Sequence, residues 1–404
     1  MKHLYFDNAA TTPMDQTVID LMTKTMTEDF GNASSTHYFG RQAREIVDHA
    51  RQIIGDSINA KPTEIIFTSG GSESNNAAIF GVAKSSPGKH IITTAIEHPS
   101  VINPLHELER AGYEVTYLDV NEHGMIDLDQ LRATLRPDTI LVSVMAVNNE
   151  VGSLMPLKEI GEIVSESSAL FHVDDVQGYG NLKLDVKDAH IDLLSTSAHK
   201  INGPKFLGFL YVNQEVQLPK LIFGGEQERK KRAGTENVPA IAGFGQAVAE
   251  IEAQDPRKMQ AKYRSFQDRI LADLTENDVD FAVNGGVDDE HSAHVLNLWI
   301  KGVSTYVLQT NLDLAGIAVS GGSACTAGSL EPSHVLTAMF GADSPRVSES
   351  IRISFGRMNT LAEVQELSMQ LVNLCVRLQH KVTNKKNKYK KISKITKLCY
   401  NGLC

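Results

Sequence analysis

At 404 residues, 42% hydrophobic and 22% charged, the chain has the composition of an ordinary globular protein and the length to divide into two domains. It contains no run of 18 apolar residues, and Met1-Lys2-His3-Leu4-Tyr5-Phe6 meets Asp7 at once, so neither a spanning helix nor a secretory signal is expected and a cytoplasmic protein is predicted. The formal charge of −10 conceals a basic end: eight of the 39 basic residues, all lysines (Lys381, Lys385, Lys386, Lys388, Lys390, Lys391, Lys394, Lys397), fall within 381–404 with no acid among them, leaving 31 basic against 49 acidic residues before it. Such a run is a candidate for nucleic-acid or acidic-partner contact, but a solvated end is the commoner outcome, and direct nucleic-acid binding is not expected. Four cysteines (Cys325, Cys375, Cys399, Cys404) without metal-ligand spacing exclude a disulfide framework, and no metal site is expected.

Asp7-Asn8-Ala9-Ala10-Thr11-Thr12-Pro13 reads as a polar turn. A helix begins near Asp15, with Val18, Leu21, Met22 and Thr25 at spacings of three and four, and a second covers 40–58 with Ala43, Ile46, Val47, Ala50, Ile53 and Ile54 on one face. Glu64-Ile65-Ile66-Phe67-Thr68 is a short strand that passes through Ser69-Gly70-Gly71-Ser72 into an alanine-rich helix. This order brings free N–H groups and hydroxyls to a helix N-terminus, where a phosphate binds well. The GxxxxGK[ST] pattern is missing, so the phosphate is not that of a nucleotide P-loop.

Strands at 90–94, 114–118, 139–145 and 169–173 then alternate with helices. Ile191-Asp192-Leu193-Leu194 is a further buried strand, followed by Ser195-Thr196-Ser197-Ala198-His199-Lys200 and the loop formers Asn202-Gly203-Pro204; Phe209-Leu210-Tyr211-Val212 is the next strand. One helix from about 238 to 263 or beyond marks the passage to a smaller domain. There, 294–300 reads as a strand with one wet face, 350–355 as a second alternating strand, and 361–380 as the last packed helix. The alternation predicts an α/β chain with a mostly parallel sheet covered on both faces, whose ligands collect at the carboxyl ends of the strands. Ser72, His98, Asn149, Asp174, Gln177 and Lys200 all follow strands and so share one rim.

On that rim Lys200 is the reactive group. Taken alone it would be an ordinary loop lysine, but beside hydroxyls at the end of a buried strand it is placed to react with a carbonyl, as lysine amines do with pyridoxal 5'-phosphate (PLP). Asp174 would pair with the pyridine nitrogen of PLP and keep it protonated, its rival roles being a helix cap or an arginine partner. Gln177 would hydrogen-bond the phenolic oxygen, while His98 would stack on the ring and shuttle protons. Gly71, Ser72, Ser197, His199 and Thr235 offer backbone and hydroxyl donors for the phosphate. Cys325 lies among small residues, the setting of a reactive thiol, whereas Cys375 lies among leucines and valines and is a buried bystander. Arg352, a cation inside an apolar strand, would clamp a substrate carboxylate or form a structural ion pair.

As a set, these residues resemble the PLP-dependent cysteine desulfurases of the class V aminotransferase superfamily. The likeness is carried by Tyr5-Phe6-Asp7-Asn8-Ala9-Ala10-Thr11-Thr12-Pro13, Phe67-Thr68-Ser69-Gly70-Gly71-Ser72-Glu73-Ser74-Asn75-Asn76, Glu97-His98, Val147-Asn148-Asn149-Glu150-Val151-Gly152 and His172-Val173-Asp174 with Gln177. It continues through Ser197-Ala198-His199-Lys200, Arg232-Ala233-Gly234-Thr235-Glu236-Asn237, Gly322-Ser323-Ala324-Cys325 and Arg352-Ile353-Ser354-Phe355-Gly356-Arg357. The resemblance implies a fold-type I PLP-dependent transferase with a large domain at 15–255. A smaller α+β domain, built from 1–14 and 256–380, would carry the cysteine loop, and 381–404 would be a basic tail. It also implies a homodimer in which Thr235 reaches the phosphate of the neighbouring subunit's cofactor.

The implied reaction converts L-cysteine to L-alanine and passes the sulfur, as an enzyme-bound persulfide, to an acceptor protein for tRNA thiolation or iron–sulfur cluster assembly. The run 323–332 resembles the tRNA-thiolation members more. In this picture Lys200 holds PLP and moves protons at Cα, Asn149 contacts the cofactor and, with Arg352, orients the substrate, and Cys325 as thiolate attacks its sulfur. The alternative on the same fold is a selenocysteine lyase or class V aminotransferase, neither of which needs Cys325 as a nucleophile. Two departures stand out: Phe206 occupies a position where the family usually has glycine, and the lysine-rich tail does not match the family's ending.

Overall fold

The computed structural model describes residues 3–321 and 332–379; the segment 322–331, with Cys325, and the lysine-rich tail lie outside them. In chain order the elements are β1 (Leu4–Tyr5), α1 (Gln16–Glu28), α2 (Tyr38–Ser57), β2 (Ile65–Thr68), α3 (Gly71–Ser85), β3 (His90–Thr94), α4 (Pro99–Arg110), β4 (Glu114–Leu118), α5 (Leu128–Thr134), β5 (Thr139–Met145), α6 (Leu157–Ser165), β6 (Leu170–Asp174), β7 (Leu193–Ser195) and β8 (Gly208–Val212). Then follow α7 (Val238–Glu252), α8 (Pro256–Glu276), β9 (Phe281–Asn284), β10 (Val295–Ile300), α9 (Thr305–Leu314), β11 (Ile317–Ala318), α10 (His334–Phe340) and β12 (Ser350–Ser354). Residues 361–379 form a last helix.

A seven-stranded sheet in the order β2-β8-β7-β6-β5-β3-β4 forms the centre. Its strands from β7 to β4 pair in parallel, and β8 runs antiparallel to both β7 and β2. All seven residues of β5 are buried, as a strand covered on both faces requires. One apolar core lies under α1, α2, α6 and α7, and another joins α3 and α4 to the opposite face. A separate core gathers β1, α8, β10, α9, β12 and the last helix around Phe6, Phe266 and Phe355. In contrast, α10 seats Val335, Leu336 and Met339 in the core of the large sheet.

The predicted elements recur with three differences. The single helix expected from 238 onward is two, because Asp255 caps a new helix by accepting the Arg257 N–H at 3.0 Å and Pro256 sits at its first turn. The strand read as 191–194 is shifted to β7, Leu193–Ser195. The wet face expected of β10 is dry: Asn297 is buried, accepting from Asn284 Nδ2 at 2.8 Å and donating to the Glu150 carbonyl at 2.9 Å, where the β5–α6 connection of the large sheet lies against the smaller one.

Phe206 has φ of 59° and is 79% exposed, so a bulky side chain sits in the left-handed region without burial to offset it. That backbone costs roughly 1 kcal/mol for a residue with a Cβ. Phe206→Gly is therefore expected to raise stability by about 0.5–1 kcal/mol, and the melting temperature by about 1–2 °C. Phe206→Ala keeps the Cβ and should gain nothing, which a paired thermal melt checks.

Candidate active site

The carboxyl ends of the parallel strands open into a cavity of about 740 Å³, a volume suited to a cofactor with a small substrate. Gly71, Ser72, His98, Asn149, Asp174, Gln177, Ser197, His199, Lys200 and Arg352 all line it, so ten of the residues picked from the sequence meet in one place although they span most of the chain. Thr235 is exposed and not part of the lining. Cys325 lies outside the described residues.

Helix α3 brings its N-terminus to the cavity. The turn entering it has Gly70 at φ +144°, a backbone that side-chain-bearing residues rarely adopt, and a Cβ on Gly71 would stand 2.6 Å from Val176 Cγ2, so that a larger residue there would have to push that side chain aside. Helix starts carry unsatisfied N–H groups and a positive dipole end, and Ser197 is buried beside them. His199, with Nδ1 3.1 Å from Thr11 Oγ1, is driven down to about 4, first by burial and then by the Lys200 and Lys205 cations, so it stays neutral.

Asp174 closes β6 and is buried; its Oδ1 accepts the Val176 N–H at 3.0 Å and its Oδ2 accepts Asn75 Nδ2 at 2.7 Å. Of the rival roles raised for Asp174, the described residues show neither an arginine partner nor a helix cap. His98 N-caps α4, with Nδ1 accepting the Ser100 N–H at 3.1 Å and lying 2.7 Å from Ser100 Oγ. Burial pushes its imidazole below the usual range, with the Asp174 carboxylate opposing and Lys200 reinforcing.

Lys200 ends a short 3₁₀ turn (Ala198–Lys200), and its Nζ donates to the Ala9 carbonyl and, at 2.8 Å, to that of Ala10. Gln177 Nε2 donates to the same Ala9 carbonyl at 2.7 Å, and its Oε1 lies 3.2 Å from His294 Nε2. The amino-terminal turn thus crosses from the smaller core to the lysine.

Arg352 comes from β12 of the smaller sheet and has both features that the sequence offered as alternatives. It lines the cavity, and it is paired: its NH2 group donates to Asp7 Oδ1 and its NH1 group to the Asn149 carbonyl, both at 2.8 Å. Its side chain is 1% exposed, and its Nε has no partner among the described residues.

Several polar residues around this site were not singled out from the sequence. Asp7 pairs with Arg352, and Asn75 and Ser100 link Asp174 to His98. Glu150 is fully buried, pushed up to about 7 by burial against the opposing effects of Ser333 and Arg352, and takes the Ser333 hydroxyl at 2.5 Å. Glu97 is pushed up to about 8 by burial, while its backbone carbonyl lies 2.8 Å from His334 Nε2. Asp175 has both carboxyl oxygens buried without a partner among the described residues, and burial beside Asp174 raises it well above the carboxylate range. Asp7, Asn75 and Glu150 lie inside motifs that carried the resemblance, so the signal was present without the role.

The donor set fits PLP: an open helix N-terminus with small residues for a phosphate, a buried carboxylate for a ring nitrogen, an imidazole and an amine. The family model for class-V aminotransferases matches residues 4–367. A putative cysteine desulfurase, IscS 1 of Bacillus subtilis (strain 168), is 51% identical over 94% of this chain and 100% of its own length. The cysteine desulfurase IscS of Methanosarcina thermophila is 44% identical over 91% of this chain and 90% of its own. Among solved structures, a NifS-like protein superposes with a TM-score of 0.86 at 32% identity, covering 92% of this chain and 99% of that one. The structure of SspA in complex with cysteine superposes with a TM-score of 0.76 at 36% identity, covering 87% and 98%. Sheet, rim and relatives agree on a PLP-dependent enzyme of fold-type I. The chain belongs to the PLP-dependent cysteine desulfurase family of the class-V aminotransferases. Among the described residues, no helix is long and apolar enough to cross a membrane.

Proposed function

We infer that this chain is a cysteine desulfurase, which converts L-cysteine to L-alanine and leaves the sulfur as a persulfide on Cys325. The observation that carries this reading is the convergence of Lys200, Asp174, His98 and Arg352 on one cavity at the N-terminus of α3. The family membership and a relative solved with cysteine support it.

Gly71, Ser72, Ser197 and His199 would hold the phosphate of PLP, Asp174 would pair with its ring nitrogen, Gln177 would hydrogen-bond its phenolic oxygen, and His98 would stack on its ring. When bound, PLP supplies the electron sink for bonds at the substrate Cα. Lys200 moves the proton at Cα. Arg352, with Asn149, holds the substrate carboxylate through a charge-assisted pair. The Cys325 thiolate would form a bond to the substrate sulfur as the carbon–sulfur bond breaks, the bonding pair staying with the carbon skeleton, which takes up a proton at Cβ and leaves as alanine. We propose a homodimer in which Thr235, exposed in one copy, reaches the phosphate of the other. The persulfide passes to an acceptor protein serving tRNA thiolation or iron–sulfur assembly. Apart from α10, which packs into the core of the large sheet, the separate cores support a division into 15–255 and 1–14 with 256–380.

The test is a product assay on the full chain loaded with PLP, given L-cysteine and a reductant. Alanine and sulfide should appear in equal amounts, and Cys325→Ser should yield neither. Sulfide release that persists without the Cys325 thiol overturns the reading.

A further inference from the structure

Helices α3 and α4 and strand β6 are joined beside the cavity by hydrogen bonds whose directions are fixed by chemistry. Asp174 Oδ2, a carboxylate oxygen, can only accept, so Asn75 must present Nδ2 to it across 2.7 Å. The same amide nitrogen lies 2.8 Å from Ser100 Oγ and gives that oxygen its second hydrogen. Having accepted there, the Ser100 hydroxyl has its own hydrogen left to give, and His98 Nδ1 is 2.7 Å away. His98 Nδ1 also accepts the Ser100 backbone N–H at 3.1 Å, which it does only when it carries no hydrogen. Starting from the carboxylate, amide orientation, hydroxyl direction and imidazole tautomer are therefore all determined: the ring hydrogen of His98 is on Nε2.

Asn75 is an expensive residue to keep in this place. It is completely buried in α3, does not line the cavity, and leaves its Oδ1 without a partner among the described residues. Helix α3 continues with Ala77 and Ala78, so a small apolar residue at 75 would serve packing alone. Only the two bonds donated by Nδ2 account for an amide there.

We propose that Asn75 is a positioning residue for the desulfuration, which through Ser100 ties the tautomer of His98 to the Asp174 carboxylate. The inference rests on the reading of Asp174 and His98 as cofactor contacts. Its consequence is directional: His98 exchanges a proton with the cavity through Nε2 alone, and Asp174 keeps two donors that favour its anion, Asn75 Nδ2 and the Val176 N–H. Without Asn75 the Ser100 hydroxyl is free to rotate and to accept from Nδ1, so His98 keeps only the Ser100 backbone N–H to favour the Nε2–H tautomer and the preference weakens, while Asp174 loses one of its two donors.

The experiment pairs a structural readout on the cofactor-free chain with two functional ones. Histidine ring ¹⁵N spectra, with the His98 signals assigned by their loss in His98→Gln, should show a single Nε2–H tautomer in the wild type, a mixture in Asn75→Ala, and a smaller admixture in Ser100→Ala. By equilibrium dialysis, the dissociation constant for PLP should rise about 10-fold in Asn75→Ala, the loss of one hydrogen bond to a charged group. In that variant kcat should fall by a similar factor, with KM for L-cysteine within about threefold of wild type. Asn75→Asp, which sets a second carboxylate against Asp174, should bind PLP more weakly still. If Asn75→Ala fails to fold, Ser100→Ala breaks the same link from the cavity edge and decides the matter. An unmixed tautomer in the variants overturns the proposal alone. A mixed tautomer with PLP affinity and kcat unchanged overturns the assignment of His98 and Asp174 to the cofactor, and the proposal with it.

Discussion

Lys200→Ala is expected to lower kcat for alanine formation by about 10³-fold or more, equivalent to roughly 4 kcal/mol of transition-state stabilisation. Lys200 is the lone amine among the described residues that line the cavity, so no second lysine stands ready to take over. Its Nζ is aimed, since the Ala9 and Ala10 carbonyls hold it at the junction of the amino-terminal turn and the large sheet. Lys200→Arg separates charge from proton transfer. The guanidinium preserves the cation but does not give up its proton, so this variant should be as inactive as the alanine one. Single-turnover alanine formation with PLP supplied in excess is the measurement, and a variant retaining more than about a tenth of the wild-type rate would remove Lys200 from the chemistry.

The parts of this chain that could be read in advance are those where burial imposes a pattern. Strand β5 is apolar along its whole length because both its faces are covered, and the residues that follow β3, β5, β6 and β7 share a rim because parallel strands end on one side. Where the reading went astray, one local signal masked another. The apolar period continuing through Met259 and Tyr263 hid the helix start at Asp255-Pro256, although an acid followed by proline spells one. Asn297 looked like a solvent-facing position because its type is polar, and composition does not distinguish a polar side chain in water from one satisfied by Asn284 and a backbone carbonyl.

The supporting residues of the site were illegible for a different reason. Asn75 has its partners 25 and 99 positions away, and Arg352 meets Asp7 across 345, so no local spacing connects them. Phe206 is the reverse case. The sequence marked it as a departure, and the backbone explains why glycine suits that position. Ser197 and Lys200 both line the cavity, and the left-handed backbone at Phe206 carries strain.

Replacing Arg352 with glutamine is expected to raise KM for L-cysteine by about 10²-fold or more. A charge-assisted hydrogen bond contributes roughly 1.5–3 kcal/mol, and a guanidinium meets a carboxylate with two. Arg352→Lys retains the charge without the planar fork and should recover only part of the loss. The Asp7 pair complicates a single substitution, because removing the cation leaves a mostly buried carboxylate without its partner, a defect of stability as much as of binding. Asp7→Asn combined with Arg352→Gln discharges both sides of the pair. If Arg352 matters only as Asp7's partner, the double variant regains both melting temperature and KM; if it holds the substrate carboxylate, melting temperature recovers while KM stays high. A double variant whose KM lies within about threefold of wild type would reduce Arg352 to a structural ion pair. The opposite result would mean that Asp7 occupies, in the substrate-free chain, part of the hydrogen-bonding capacity that the carboxylate of L-cysteine uses.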